Sequence, residues 1–157
     1  EHTAGLLYVA NNIQRIADRC QDIDGIWEQI ERDGMNLSET ASEELEKCIS
    51  ITLDLLNQAI EAVKAGSEEQ AEQVFKNKKK MNKAEKKFNK AHLNRVKNQK
   101  CDPGMTTFFS GILYNLERAA DNCVSIAEEA LDNPGFVKLG ENARAFAAAA
   151  VAEGNVK

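Results

Sequence analysis

Apolar residues recur at three- and four-residue intervals through most of the chain, the spacing that lines one face of a helix. The first run holds Leu6, Val9, Ile13, Ile16, Cys20, Ile23, Trp27 and Ile30 and stops at Gly34. A second follows a polar cluster in which Thr40 and Glu43 have capping-box spacing. It carries Leu45, Cys48, Ile49, Leu55, Leu56, Ala59 and Val63 and ends at Gly66. Ser67 and Gln70 form another capping box and open a third run to about Asn98. After the turn "KCDPGM", the fourth uses Met105, Phe108, Phe109, Ile112, Leu116, Ala119, Cys123, Ile126 and Ala130, and ends at Asn133-Pro134-Gly135. Four helices of roughly 27 to 32 residues joined by short loops predict an all-α antiparallel bundle. The bundle is expected over residues 1–133. Residues 134–157, with "ARAFAAAAVAE", are expected to form a weakly structured or helical alanine-rich tail.

The third run departs from a simple amphipathic pattern. Its inward stripe should be Ala71, Val74, Lys78, Met81, Glu85, Phe88, His92 and Arg95, half of it charged or titratable. Long basic side chains can bury their stems and keep their heads wet, so a basic helix with wet edges satisfies the pattern. Charge is also segregated. Ten lysines and Arg95 stand against the single acid Glu85 between Lys76 and Lys100, in a chain whose net charge is −5.

Composition fits one helical domain. Of the 157 residues, 43% are apolar, only 6% are aromatic and two are proline. No run of about 18 apolar residues exists to span a membrane. The chain opens on Glu1 rather than Met, directly before an amphipathic pattern, and reads as a piece of a longer protein with room upstream for a membrane segment. The cysteines Cys20, Cys48, Cys101 and Cys123 form no C-x-x-C pair. Three sit on apolar helical positions, which favours buried thiols in a reducing compartment over disulfides or zinc. Cys20 and Cys123 are expected on the core side of their helices.

Residues 8–23 align with 111–126 at an offset of 103, with six of 16 positions identical: Asn12/Asn115, Arg15/Arg118, Ala17/Ala120, Asp18/Asp121, Cys20/Cys123 and Ile23/Ile126. Gln14 stands opposite Glu117. The agreeing polar positions mark the first and fourth helices as related copies. Glu117 and Asp121 lie one turn apart on one face, where two carboxylates either repel or share a cation. Oxygen donors of this kind suit divalent or transition metals such as magnesium, zinc or iron, and Asp18 from the first helix could add a donor. The competing reading is an acidic stripe neutralised by Arg15, Arg118 and lysines of the third helix. A ferritin-like di-iron site is excluded, since Glu-x-x-His occurs nowhere.

The stretch "AHLNRVKNQKCDPGMTTFFSGILYNLERAADNCVSIAEEAL" resembles the last two helices of the PhoU family. It is similar above all to the PhoU-like cytoplasmic domain of bacterial sodium/phosphate cotransporters. The resemblance rests on His92, Arg95, Cys101 and Pro103, then Leu116, Glu117, Arg118, Asp121, Ile126, Ala127 and Glu128. "NIQRIADRCQDI" resembles the equivalent helix of a preceding repeat. It implies one three-helix repeat preceded by the last helix of another. It places the family's metal-binding Glu-x-x-x-Asp on Glu117 and Asp121, and in the first copy on Gln14 and Asp18. The acidic positions of the preceding helix fall on Lys78 and Asn82, and a lysine there repels a cation. A degenerate site without metal is therefore the expectation.

The resemblance implies a non-enzymatic regulator of phosphate uptake or homeostasis. The expected form is the cytoplasmic C-terminal domain of a sodium-dependent phosphate cotransporter, tethered to the inner membrane by an upstream transporter domain. Expected partners are that membrane domain or a phosphate-signalling protein, with a homodimer as a further option. The alternatives are a stand-alone PhoU-like regulator and an anion-binding module that docks its lysine-rich third helix on nucleic acid or acidic lipid. Sparse aromatics and overall acidity weigh against nucleic acid. With no nucleophile motif, no phosphate-cradling glycine loop and only His2 and His92, no enzyme is expected.

Overall fold

The chain folds into helices α1 (His2–Arg32), α2 (Glu39–Ala65), α3 (Glu68–Lys97), α4 (Met105–Asp132) and α5 (Pro134–Gly154). The computed structural model describes residues 2–154, and no strand occurs among them. No helix of the described residues is long and apolar enough to cross a membrane.

Helix ends follow local chemistry. Ser38 caps α2, its hydroxyl accepting from the Ala41 amide at 3.1 Å, so the cap lies two residues before the expected Thr40. Ser67 caps α3 as its spacing indicates, accepting from the Gln70 amide. Gly66 takes φ of 58°, where a side chain would be strained, and closes α2. At the end of α3 the same left-handed position is held by Gln99, with φ of 56°. The Gln99 and Lys100 amides reach back to the carbonyls of Val96 and Arg95, which reverses the chain toward α4.

Helices α2, α3 and α4 pack pairwise into a three-helix bundle. The side chains of Leu55, Met81, Phe109, Leu113, Cys48 and Cys123 are fully buried at its centre. Helix α1 makes its extended contact with α4 alone, and α5 leans on α2 and α4. Phe136 anchors α5 at 3% exposure, whereas Phe146 and Val151 further along are 78% and 66% exposed.

The α1–α4 pair is antiparallel. Arg19 meets Asn115, and Gly111 admits the Ile26 side chain, whose tip would lie 3.1 Å from an added Cβ. The seam on α1 is Val9, Asn12, Ile16 and Ile30, flanked by Ile23 and Ile26. The repeat seen in the sequence is also structural. Asn12 and Asn115 are both buried, and each donates its side-chain amide to the carbonyl four residues back, Tyr8 and Gly111.

A second apolar stripe on α1 has no cover among the described residues. Leu6 is 47% exposed, Ile13 44% and Trp27 45%, and Cys20 is exposed with them. At the offset of 103, Leu6, Ala10, Ile13, Ala17 and Cys20 correspond to Phe109, Leu113, Leu116, Ala120 and Cys123, all buried on α4. Cys20 therefore departs from the core placement its spacing suggests. Its equivalent on α4 is covered within the three-helix bundle, whereas α1 makes its extended contact with α4 alone.

Thiol reactivity should follow this difference. Burial pushes the Cys123 thiol up to about 12, and burial with the nearby carboxylates of Glu44 and Glu85 pushes Cys48 up to about 11. Native-state maleimide labelling is expected to modify Cys20 fast, Cys101 more slowly, and Cys48 and Cys123 only on unfolding. Cys123 reacting as fast as Cys20 would contradict the packing.

Candidate functional site

The Lys78 ammonium is the centre of a polar cluster between α3 and α4. Its Nζ lies 2.7 Å from Asn82 Oδ1, 3.3 Å from Glu117 Oε1 and 2.9 Å from Asp121 Oδ1. Helix geometry produces the arrangement: Lys78 and Asn82 are one turn apart on α3, Glu117 and Asp121 one turn apart on α4, and the two faces meet. Three oxygens match the three donors of an ammonium. The Arg118 Nη1 approaches the other Asp121 oxygen at 3.7 Å. Lys78 is 14% exposed, Glu117 30% and Asp121 43%, so the cluster sits at the wet rim of the bundle.

These residues do not fit a metal ion. An ammonium already occupies the position between the carboxylates that a shared cation would take, and a divalent ion beside it would be repelled. No group of three or more His, Cys, Asp or Glu side chains is placed to ligate a metal among the described residues. Asp18 does not join the cluster. It is exposed on α1 and accepts a hydrogen bond from Gln14 Nε2 at 3.0 Å.

The repeated arginines converge instead. A groove of about 430 Å³ between α1 and α4 is lined by Arg15, Arg19, Arg118, Asp121, Asn122 and Ser125. Arg15 and Arg118, equivalent in the repeat, both line it because the two copies run antiparallel along one seam. Arg19 is held at its wall by Asn115 Oδ1 at 3.4 Å, by Asp22 at 3.9 Å and by the Tyr114 ring.

A second cluster pins the three-helix bundle at the end where α3 turns into α4. Arg95 donates to both Glu44 oxygens, at 2.9 and 2.8 Å, with 16% and 10% of the two side chains exposed. This bidentate geometry is the strong form of the contact, and it raises the Arg95 pKa further. Arg95 also lies over the Phe109 ring, on which fully buried His92 stacks at 4.7 Å between centroids. His92 Nε2 is 3.0 Å from Thr106 Oγ1, and its Nδ1 is 3.9 Å from Cys101 Sγ. His92, Arg95 and Cys101 are thus staples of the α3–α4 corner. Glu44 is the member that sequence reading missed, although Ala41, Glu44, Leu45 and Cys48 share one helical face.

His92 ties this corner to pH. Burial, and next the Arg95 charge, lower its pKa below 6.5. Below pH 6.5 the unfolded chain binds a proton that the folded chain refuses, so stability is unaffected above that value and falls as pH drops toward the folded-state pKa. Thermal melts at about pH 7.5 and about pH 5.5 should show a lower midpoint in acid. The difference should shrink in His92→Gln, and an equal acid loss in that variant would remove His92 as its source.

Comparison with curated proteins and with solved structures gives no match. The model of one family, described as the PhoU domain, matches residues 45–130, more than half of the chain. The matched span contains the end-of-bundle corner apart from Glu44, the Lys78 cluster and all three helices of the bundle except the first turns of α2 and the last residues of α4. With its bundle, its corner staples and its Glu117–Asp121 pair inside that span, the chain belongs to the PhoU family.

Proposed function

We propose that this chain is a non-catalytic regulatory domain of phosphate uptake, carried on the cytoplasmic side of a sodium-dependent phosphate cotransporter. The observation that carries the reading is the PhoU match over residues 45–130, which coincides with the α2–α4 bundle. The polar clusters support a non-catalytic role. Lys78 is saturated by three oxygens, Arg95 is paired through both Nη atoms with Glu44, and His92 is buried away from solvent, so none presents a nucleophile or base to a substrate.

The uncovered stripe of α1 supports a two-repeat setting. The matching face of α4 is covered by α2 and α3, so the stripe on α1 is suited to a second helical hairpin of the same kind. In that setting α1 and α4 form the central pair of two equivalent bundles, and the arginine groove lies on their seam.

Cross-linking in membranes tests the cotransporter setting. Cysteine pairs between the surface of α1 and a phosphate-transporting membrane domain should join within one polypeptide. Purification of the chain in a separate, membrane-free polypeptide would favour the stand-alone phosphate-signalling regulator instead.

A further inference from the structure

From Lys76 onward the outward face of α3 is a lysine ridge, following exposed Glu68, Glu69 and Glu72 on the first turns of the same face. Lys76, Lys79, Lys80, Lys83, Lys86, Lys87, Lys90 and Lys97 are all exposed and lie opposite the buried stripe of Ala71, Val74, Met81, Phe88 and His92. They span 21 residue steps, about 32 Å of helix. None is in an ion pair among the described residues; the α3 bases that are, Lys78 and Arg95, point inward. The one acid between Lys76 and Lys100, Glu85, is half-buried and accepts from Asn89. Residues 76–100 hold eleven bases against that acid, while the other 132 residues hold nine bases against 24 acids, giving the net −5. Eight lysine pairs on the ridge stand three or four residues apart, each mutually repulsive. An opposing anionic surface relieves that repulsion.

We propose that the ridge docks the domain on an anionic lipid surface. Its shape and chemistry favour a membrane over nucleic acid. The ridge runs along a single helix flanked by α2 and α4, so it meets a plane along its length but cannot enter a duplex groove as a free helix. It is built of lysine alone, a hydrated point charge suited to diffuse attraction by headgroups, without the arginine forks or stacking aromatics that read nucleic acid. Leu93, 56% exposed between Lys90 and Lys97, offers an apolar tip to the headgroup layer. The acidic remainder of the molecule orients away from such a surface, so docking fixes which side of the bundle faces the membrane.

Vesicle sedimentation with the whole chain tests this. Vesicles of phosphatidylcholine with one-third phosphatidylserine should pellet the protein at about 0.05 M salt, with the binding lost near 0.5 M salt. Pure phosphatidylcholine vesicles should leave it in the supernatant. A variant with Lys79, Lys83, Lys86 and Lys90 each changed to Glu should bind anionic vesicles about a hundredfold more weakly. The same four positions changed to Arg should retain binding, and helix content by circular dichroism checks that both variants fold. Reversal of Lys47 and Lys64 on α2 should have little effect. Equal pelleting of the Lys→Glu variant would overturn the proposal, as would tight binding to a DNA duplex with none to anionic vesicles.

Discussion

Glu44→Ala is expected to lower the unfolding free energy by about 3–5 kcal/mol, the range for breaking a buried ion pair from one side. The variant leaves the Arg95 guanidinium, 16% exposed, without its carboxylate, and its Nε already has no partner among the described residues. The loss propagates, because Arg95 lies over Phe109 and Phe109 supports His92. Arg95→Ala should cost a similar amount by stranding Glu44. Replacing both, with Glu44→Leu and Arg95→Met, should recover most of the loss, since two well-packed apolar chains carry no unpaired charge. Urea unfolding of the three variants separates these cases. A loss below about 1 kcal/mol in Glu44→Ala would place the pair among weak surface contacts.

Lys78→Glu should have the second large effect and change what the α3–α4 face binds. The substitution removes the cation shared by Glu117 and Asp121 and adds a third carboxylate beside the Asn82 carbonyl. Without divalent ions the like charges should cost about 1–3 kcal/mol of stability. With manganese or ferrous iron added, the thermal midpoint should rise by several degrees as the four oxygens gather around the ion. The parent chain should not respond, because its own ammonium fills that role. Lys78→Gln removes the charge without adding a donor and should gain little metal response. Stoichiometric metal in the dialysed parent chain, lost on Asp121→Ala, would contradict the lysine-filled site.

The helices were legible because three-to-four spacing depends on local geometry alone, and Lys78 was legible because it fell on the inward stripe of α3. The fate of Cys20 was not. Its spacing is as apolar as that of Cys123, and what differs is the presence of neighbours, which spacing does not encode. Glu44 was obscured for a related reason. In "SEELEK" it stands among the acids near the start of α2, where carboxylates are ordinary, and only the position of Arg95 on another helix makes it a buried partner. Asp18 shows the converse. Its match to Asp121 is real in sequence, but no equivalent of α3 stands beside it, so it remains exposed with Gln14.

The direct measurement is phosphate uptake by cells whose protein carries this chain intact or with its bundle core broken by Leu55→Asp. Leu55 is fully buried, so a charge there disrupts the packing of α2–α4. Uptake of labelled phosphate should respond to phosphate supply in cells with the intact chain. In the core-broken variant, the rate should no longer differ between phosphate-limited and phosphate-replete cells. Uptake that follows phosphate supply equally well in both strains, with the variant chain shown to be unfolded, would contradict a regulatory role in phosphate transport.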